Sequence, residues 1–263
     1  MSEQDSLRLT MFASGLLSLM AWEVLAPHHA PIGSRRSRWT ANLLLTAFNS
    51  LVSIGICAVC LYATTASLMT SRLFLFDDLA TWPWLRIATE VAVLDAVIYW
   101  QHRVFHAVPW LWRFHSVHHT DVDLDVTTAS RFHVGEILIS AIVKLVCALL
   151  LGISATGLMA FEMVLLLAAQ FQHANILLPK RIERALWLFV VPPSMHRIHH
   201  CPQRRHQDSN YSTLLPLWDR LFGTLSHPAD HAPSFGINSP LAAKPLGLWT
   251  LLSWPFTRTA SRI

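Results

Sequence analysis

Charge is scarce in this chain. Only 14% of its 263 residues are Asp, Glu, Lys or Arg, against 53% that are hydrophobic. Soluble domains carry roughly 25% charged residues, so the shortage points away from an ordinary water-soluble fold. Cysteine is equally sparse. Cys57, Cys60, Cys147 and Cys201 form no disulfide framework and have no zinc-ribbon spacing. Cys57-Ala-Val-Cys60 sits in an apolar run rather than beside a βαβ pattern, which argues against a redox pair and for two small buried residues. No Gly/Ser linker, low-complexity tract or internal repeat divides the sequence, so residues 1–263 read as one integral membrane domain. No persuasive strand alternation occurs, and no His-Glu-x-x-His zinc-protease motif. A net charge of +4 with a pI near 9.1 is compatible with a nucleic-acid face. The arginines, however, are spread over loops between apolar runs, which membrane topology explains without any nucleic acid.

What is abundant is apolar length, tryptophan and histidine. Leu9 to Leu25, Asn42 to Met69, Leu85 to Trp100, Ile137 to Leu151 and Leu158 to Phe171 are the long apolar stretches. They predict an all-α, polytopic helical bundle of about four to five membrane segments. The first stretch follows Glu3 and Asp5 and lacks a small-residue cleavage site, so it reads as a retained span rather than a signal peptide. The last two, joined through Gly152-Ile153-Ser154 and Gly157, form either a full hairpin or a shallow re-entrant one, with Lys144 in mid-segment. Eleven tryptophans suit a protein rich in membrane interface. Arg181 to Val191 has an amphipathic pattern, and Leu246 to Phe256, with Trp249 and Trp254, reads as an interfacial helix.

Eight of the fifteen histidines fall in three motifs: His102-x-x-x-His106, His115-x-x-His118-His119 and His196-x-x-His199-His200. Helical residues three or four apart share a face, so each motif aims two or three imidazoles one way. Neutral imidazole is a good ligand for iron, zinc, copper or nickel. Eight such groups exceed the needs of one ion, so the pattern points to a binuclear centre. Arg35, Arg36 and Arg38 between the first two stretches mark that loop as cytoplasmic. Counting crossings from there puts all three motifs in one cytosolic, histidine-rich cap. His173 ends the last stretch and would face the same site.

Other residues leave alternatives open. Asp95, seven residues before His102, is placed either to accept a hydrogen bond from a ligand imidazole or to neutralise an arginine or face a water cavity. His133 fits a ligand, a hydrogen-bond donor behind the ligands, or a substrate contact. Asp121, Asp123 and Asp125 read as a solvated loop. His28, His29, His227 and His231 lack helical partners and read as surface, and His206 is an exposed loop residue or a functional one.

At these motifs the chain resembles the fatty acid hydroxylase/sterol desaturase superfamily of membrane di-iron oxygenases. The resemblance covers Asp95 to Thr224 and runs through the three histidine motifs in order. It includes Arg131-Phe-His133-Val-Gly-Glu136, where Val134 replaces the usual proline, and Phe171-Gln-His173. Beyond the third motif, Asp208-Ser-Asn210-Tyr211 and Leu217-Trp218-Asp219-Arg220 continue it. The resemblance implies a catalytic region at 95–224 holding two iron ions. Their ligands would be His102, His106, His115, His118, His119, His173, His196, His199 and His200, with His133 as a weaker candidate and Gln170 where some members supply another. It implies Glu136 lining the substrate or cofactor pocket, Asn210 and Tyr211 bracing the third motif, and Trp218-Asp219-Arg220 acting as a structural lock. The activity it implies is hydroxylation or desaturation of an unactivated C–H bond in a lipid, sterol or similar apolar substrate, with dioxygen as co-substrate.

The sequence contains no cytochrome domain, flavin glycine motif or iron–sulfur cysteine set. A separate donor is therefore expected: a ferredoxin, cytochrome, reductase or reduced pterin. The basic loops near Arg204, Arg205 and Arg220 read either as ordinary positive-inside charge or as a docking face for an acidic donor. Zinc, which competes well for nitrogen sites, is an expected occupant after purification. A zinc-dependent membrane hydrolase and a metal-binding or transport protein are the competing readings. Transport would spread ionisable groups along several spans. Compactness and the lack of appended targeting motifs favour a bacterial inner membrane.

Overall fold

The computed structural model describes residues 3–32, 34–67, 76, 79, 81–227, 234–239 and 246–260, the side chains of 3–5 and 54–67 excepted. The far end of the Asn42 to Met69 stretch and His231 lie outside the described residues.

Five long helices correspond to the five apolar stretches: α1 (Glu3–Leu25), α2 (Arg35–Ser67), α3 (Pro83–Ala107), α5 (Val134–Leu151) and α6 (Ala155–His173). Short helices build the cap: α4 (Pro109–His119), α7 (Lys180–Phe189), α8 (Pro193–His199), α9 (Arg204–Gln207), α10 (Leu217–Leu221) and α11 (Leu248–Ser253). Among the described residues, α1, α5 and α6 are long and apolar enough to cross a membrane. At 18 residues, α5 spans about 27 Å, close to the roughly 30 Å of bilayer hydrocarbon.

Proline and serine set the boundaries. Val108 precedes Pro109, which disfavours helical backbone, and Val108 is accordingly extended. The break between α3 and α4 turns the chain so that His106 and His115 face each other rather than continuing along one rod. α5 stops at Gly152, in the left-handed region at φ 72°. Ser154 then caps α6 by accepting from the Gly157 N–H at 2.9 Å. Buried Glu90 of α3 accepts from the Ser154 N–H and Oγ–H, pinning this turn to the bundle. A Cβ on Gly157 would lie 1.8 Å from a Glu90 oxygen, so this approach needs glycine.

α6 is the central rod, packed on α1, α3 and α8 and on the 3-10 turn Val126–Ser130. A core of Leu94, Phe161 and Leu214 joins α3, α6 and the loop after α9. A second core joins α2, α4 and the α11 region through Leu45, Val117, Leu251 and Trp254. Trp254 is therefore not an interfacial residue as its spacing suggested. It is fully buried, and its Nε1–H donates to Ser116 Oγ at 3.0 Å. Trp249 and Phe256 do face outward.

The cap is fastened to the bundle by charge. Asp121, Asp123 and Asp125, expected in solvent, are all buried. The reason is Arg38, itself 1% exposed, which lies 2.7 Å from both Asp121 and Asp125 and 3.5 Å from Asp123. Arg38 thus belongs to α2 and not to an exposed loop. His29, expected on the surface, is 2.7 Å from Asp123, and Trp39 donates to Asp125. Asn42 donates to Asp121 and accepts from Arg131, which also reaches the Val117 carbonyl and Thr120. Burial alone would raise the Asp121 carboxyl. The charges of Arg38 and Arg131 outweigh it and hold Asp121 below its usual range.

Removing one partner from such a cluster leaves buried charge uncompensated. Arg38→Met is expected to cost about 3–5 kcal/mol, read as a large drop in thermal midpoint in detergent. Arg38→Lys should recover part of that, because lysine lacks the planar fork. An unchanged midpoint in Arg38→Met would show that the cluster does not hold the cap.

Candidate metal centre

Nine histidines from four helices converge into two adjacent groups. His102, His106, His115, His119 and His199 form one, and His118, His173, His196 and His200 the other. Within each, one possible ligand atom per residue lies within 4.8 Å of all the others. The adjacent pairs His118-His119 and His199-His200 each split between the groups. Neighbours on a helix point about 100° apart, while residues at i and i+4 point together. Thus His115 and His119 enter the first group and His118 the second. α8 reverses the shares, sending His196 and His200 to the second group and His199 to the first. α3 adds His102 and His106 to the first, and the end of α6 adds His173 to the second. Stacked rings mark the seam: His119 on His200 at 4.6 Å and His196 on His199 at 5.3 Å between centroids.

The contacting atoms are Nε2. In the second group His118 and His173 approach at 3.1 Å, His173 and His196 at 2.9 Å, and His196 and His200 at 3.1 Å. In the first, His102–His115 and His115–His119 are 3.1 and 3.2 Å. Such spacings suit nitrogens sharing one ion at about 2.0–2.1 Å.

Five Nδ1 atoms face acceptors on the opposite side of the ring. His102 meets the Tyr211 carbonyl at 2.8 Å, His199 the Ser209 carbonyl at 2.8 Å and His173 the Ala169 carbonyl at 2.6 Å. His115 meets Glu136 Oε1 at 2.8 Å, and His106 meets Asp208 at 3.4 Å. A carbonyl can only accept, so the ring hydrogen sits on Nδ1 and Nε2 keeps its lone pair. Burial first, and neighbouring imidazoles second, push His118, His119, His196 and His200 well below 6.5. Neutral rings with inward lone pairs are what a transition metal requires of imidazole. The residues therefore fit a pair of nitrogen-bound ions.

One loop supplies three of those acceptors. Asp208, Ser209 and Tyr211 are held around Asn210, which sits at φ 52°. Its side chain donates to the Met195 and Ser226 carbonyls. Asp219 accepts from the Tyr211 and Ser212 N–H groups at 2.9 Å each. Asn210 and Asp219 thus fix the loop whose carbonyls face His102 and His199. Arg220 donates to the Trp187 and Leu188 carbonyls, tying α10 to α7.

Several expected roles change. Asp95 touches no imidazole. It accepts from the Leu214 and Leu215 N–H groups and from Trp218 Nε1 at 2.7 Å, so it anchors the same segment from below. His133 lies outside both groups because its nitrogens are committed elsewhere. Nδ1 caps α5 by accepting from Gly135, and Nε2 is 3.1 Å from the Leu252 carbonyl. Gln170 points away, donating to the Phe12 carbonyl in α1. Glu136 orients His115, and its second oxygen lies buried without a hydrogen-bond partner beside a cavity. Two aromatic neighbours went unread in the sequence. Phe132 stacks on His118 at 4.3 Å, and Trp112 lies 5.0 Å from His106. Phe132 lies inside the Arg131–Glu136 segment and Trp112 three residues before His115, but aromatics are too common in an apolar chain for either to be singled out.

The cavity holds about 360 Å³ and runs from the histidines between α3, α5 and α6. His102, His115, His118, His173 and His196 form one end, and Phe132, Ile137, Leu165 and Leu166 line its apolar walls.

Comparison with known proteins agrees with this architecture. Human alkylglycerol monooxygenase is 30% identical over 65% of this chain, which spans 36% of that protein. Ornithine lipid hydroxylase OlsE of Rhizobium tropici is 27% identical over 67% of the chain and 52% of its own length. A very-long-chain aldehyde decarbonylase of Arabidopsis thaliana is 27% identical over 56% of the chain and 25% of its own. The chain thus spans about half or less of these relatives' length. No solved structure matches it. The fatty acid hydroxylase family model matches residues 87–224, more than half of the sequence and all nine converging histidines. The chain belongs to the fatty acid hydroxylase family.

Proposed function

We propose that the protein is a membrane di-iron oxygenase that hydroxylates an unactivated C–H bond of a lipid-like substrate, using dioxygen and electrons from a separate donor. The observation that carries this reading is the meeting of two all-imidazole groups with the end of an apolar cavity. The relatives support it. Two are named for hydroxylation or monooxygenation of lipids, and the substrate class is taken from those names.

The five-histidine group would hold one iron and the four-histidine group the other. When bound, the pair supplies reductive activation of dioxygen and abstraction of a hydrogen atom from carbon. The chain's own residues do the rest. The Tyr211 and Ser209 carbonyls and Glu136 keep His102, His199 and His115 in the ligating tautomer. Ile137, Leu165 and Leu166 exclude water from the reacting end, protecting a reactive oxidant from quenching. Phe132, flat against His118, closes the same wall.

These 263 residues contain no haem, flavin or iron–sulfur motif, so electrons arrive from outside them. Arg204 and Arg205 are exposed beside Asp208, which contacts His106, and offer an acidic donor a docking point. Arg36, Lys180, Arg181 and Arg184 are also exposed on the cap. That bias favours a cytosolic cap, in a bacterial inner membrane.

Two expected outcomes test the reading. His118→Ala should abolish product formation and lower iron content while leaving the protein in the membrane fraction. His133→Ala should keep its iron, since that ring caps a helix. Product mass identifies the reaction, as hydroxylation adds oxygen whereas desaturation removes two hydrogens. Full activity in His118→Ala, or an iron-free active enzyme, would overturn the proposal.

Metal-stripped protein should also lose stability in acid. The unfolded chain protonates its histidines at about 6.5, whereas folded His118, His119, His196 and His200 resist protonation. Unfolded protein therefore binds more protons below that value, and stability falls as pH falls through it. The thermal midpoint should be several degrees lower at about pH 5.5 than at about pH 7.5. A flat profile would mean that the rings are solvated.

A further inference from the structure

The same cavity has a polar far end that metal binding does not explain. Lys144 of α5 and Glu162 of α6 both line it and form an ion pair across the hairpin, Nζ to Oε1, at 2.5 Å. Their side chains are 16% and 35% exposed, so neither is sealed away. Both stand in the middle of helices otherwise apolar enough to cross a membrane. Charge at that depth is costly and marks a path or a site more often than a staple.

Helical spacing connects the pair to the centre. Glu136, Ser140 and Lys144 recur every four residues on one face of α5, and Glu162, Leu166, Ala169 and His173 follow the matching stripe of α6. Eight residues separate Glu136 from Lys144, about 12 Å along the helix. The hairpin does not need the pair to close. Gly152, the Ser154 cap and Glu90 already fix its turn. Replacing an ion pair by apolar side chains of similar volume is often neutral for stability even where the pair is fully buried.

Building on the lipid reading above, we propose that Lys144 and Glu162 form a recognition subsite for an uncharged hydrogen-bonding group, a hydroxyl or amide, on the substrate. The subsite holds that group while the carbon to be attacked lies at the histidines, roughly two to three helical turns away along the hairpin. The chemistry of the pair selects the class. A hydroxyl can accept from the Lys144 ammonium and donate to the Glu162 carboxylate while the two charges stay together. A carboxylate would compete with Glu162 for Lys144 and leave one negative charge unbalanced in an apolar wall. A pure alkane would leave the site's polar atoms without new partners.

The test uses the full chain, iron-loaded in nanodiscs, with radiolabelled 1-dodecanol, dodecanoate and dodecane, each corrected for empty nanodiscs. Dodecanol should bind about tenfold more tightly than dodecane, the worth of one hydrogen bond to a charged group, and more tightly than dodecanoate. The Lys144→Met/Glu162→Met double variant should lose that preference, and the swap Lys144→Glu/Glu162→Lys should keep it. Glu162→Gln, which preserves shape, should weaken dodecanol binding even if the double variant fails to fold. Equal binding of all three probes, a preference for dodecanoate, or an unaltered preference in the double variant would overturn the subsite. Iron content and product formation in the same preparations report separately on the oxygenase reading. An inactive protein that still prefers dodecanol would sink that reading and leave the subsite standing.

Discussion

A buried imidazole must place one N–H on an acceptor and one lone pair on something positive, or bear the cost of an unmet polar atom. Nine such rings sit together here, and eight of them are less than 9% exposed. The arrangement is eased where lone pairs can share a cation and where hydrogens find carbonyls or carboxylates behind them, as in five of the rings; the Nδ1 atoms of His118, His119, His196 and His200 have no such acceptor among the described residues. That single requirement explains why so much of the cap is built from irregular backbone. A helix has spare carbonyls only in its last turn, so the Nδ1 acceptors for His102, His106 and His199 come from the 208–211 loop.

That loop then needs its own support. Its N–H groups go to Asp219, and those of Leu214 and Leu215 go to Asp95, a residue in the body of α3. The chain of dependence thus runs from α3 through a carboxylate to a loop, and from the loop back to His102, two turns further along α3. The Arg38 cluster plays the same part on the opposite flank, holding the segment between α4 and α5 against α2. Several buried charged residues fasten polar backbone: Asp95 and Asp219 accept from N–H groups, and Arg131 and Arg197 donate to carbonyls.

The helical bundle and the shared faces of the histidine motifs were legible in the sequence because both depend on short-range periodicity. The apolar stretches located five helices, although α1, α2 and α3 each run six or seven residues past the stretch at one end, and spacings of three and four gave the shared faces of each histidine motif. What periodicity could not supply was pairing over long separations. Asp121, Asp123 and Asp125 look like a solvated loop until Arg38, more than eighty residues earlier, is placed among them. Asp95 was near enough to His102 to suggest a direct bond, but its true partners lie more than a hundred residues later. His133 carried a motif signature, yet its ring was needed to start α5. In each case local pattern named the right residue as special, and only the tertiary partner decided what it does.

The two histidine groups are unequal, and the inequality gives the site a direction. Five imidazoles would take up more of an ion's coordination sphere than four. The cavity touches three members of the four-histidine group, His118, His173 and His196, but only His102 and His115 of the other. His106 and Asp208, by contrast, lie toward exposed Arg204, on the side away from the apolar walls. The cavity therefore meets mainly the four-histidine group, while the five-histidine group looks toward the cap surface. The stacked pairs His119–His200 and His196–His199 join the two sides within 4.6 to 5.3 Å.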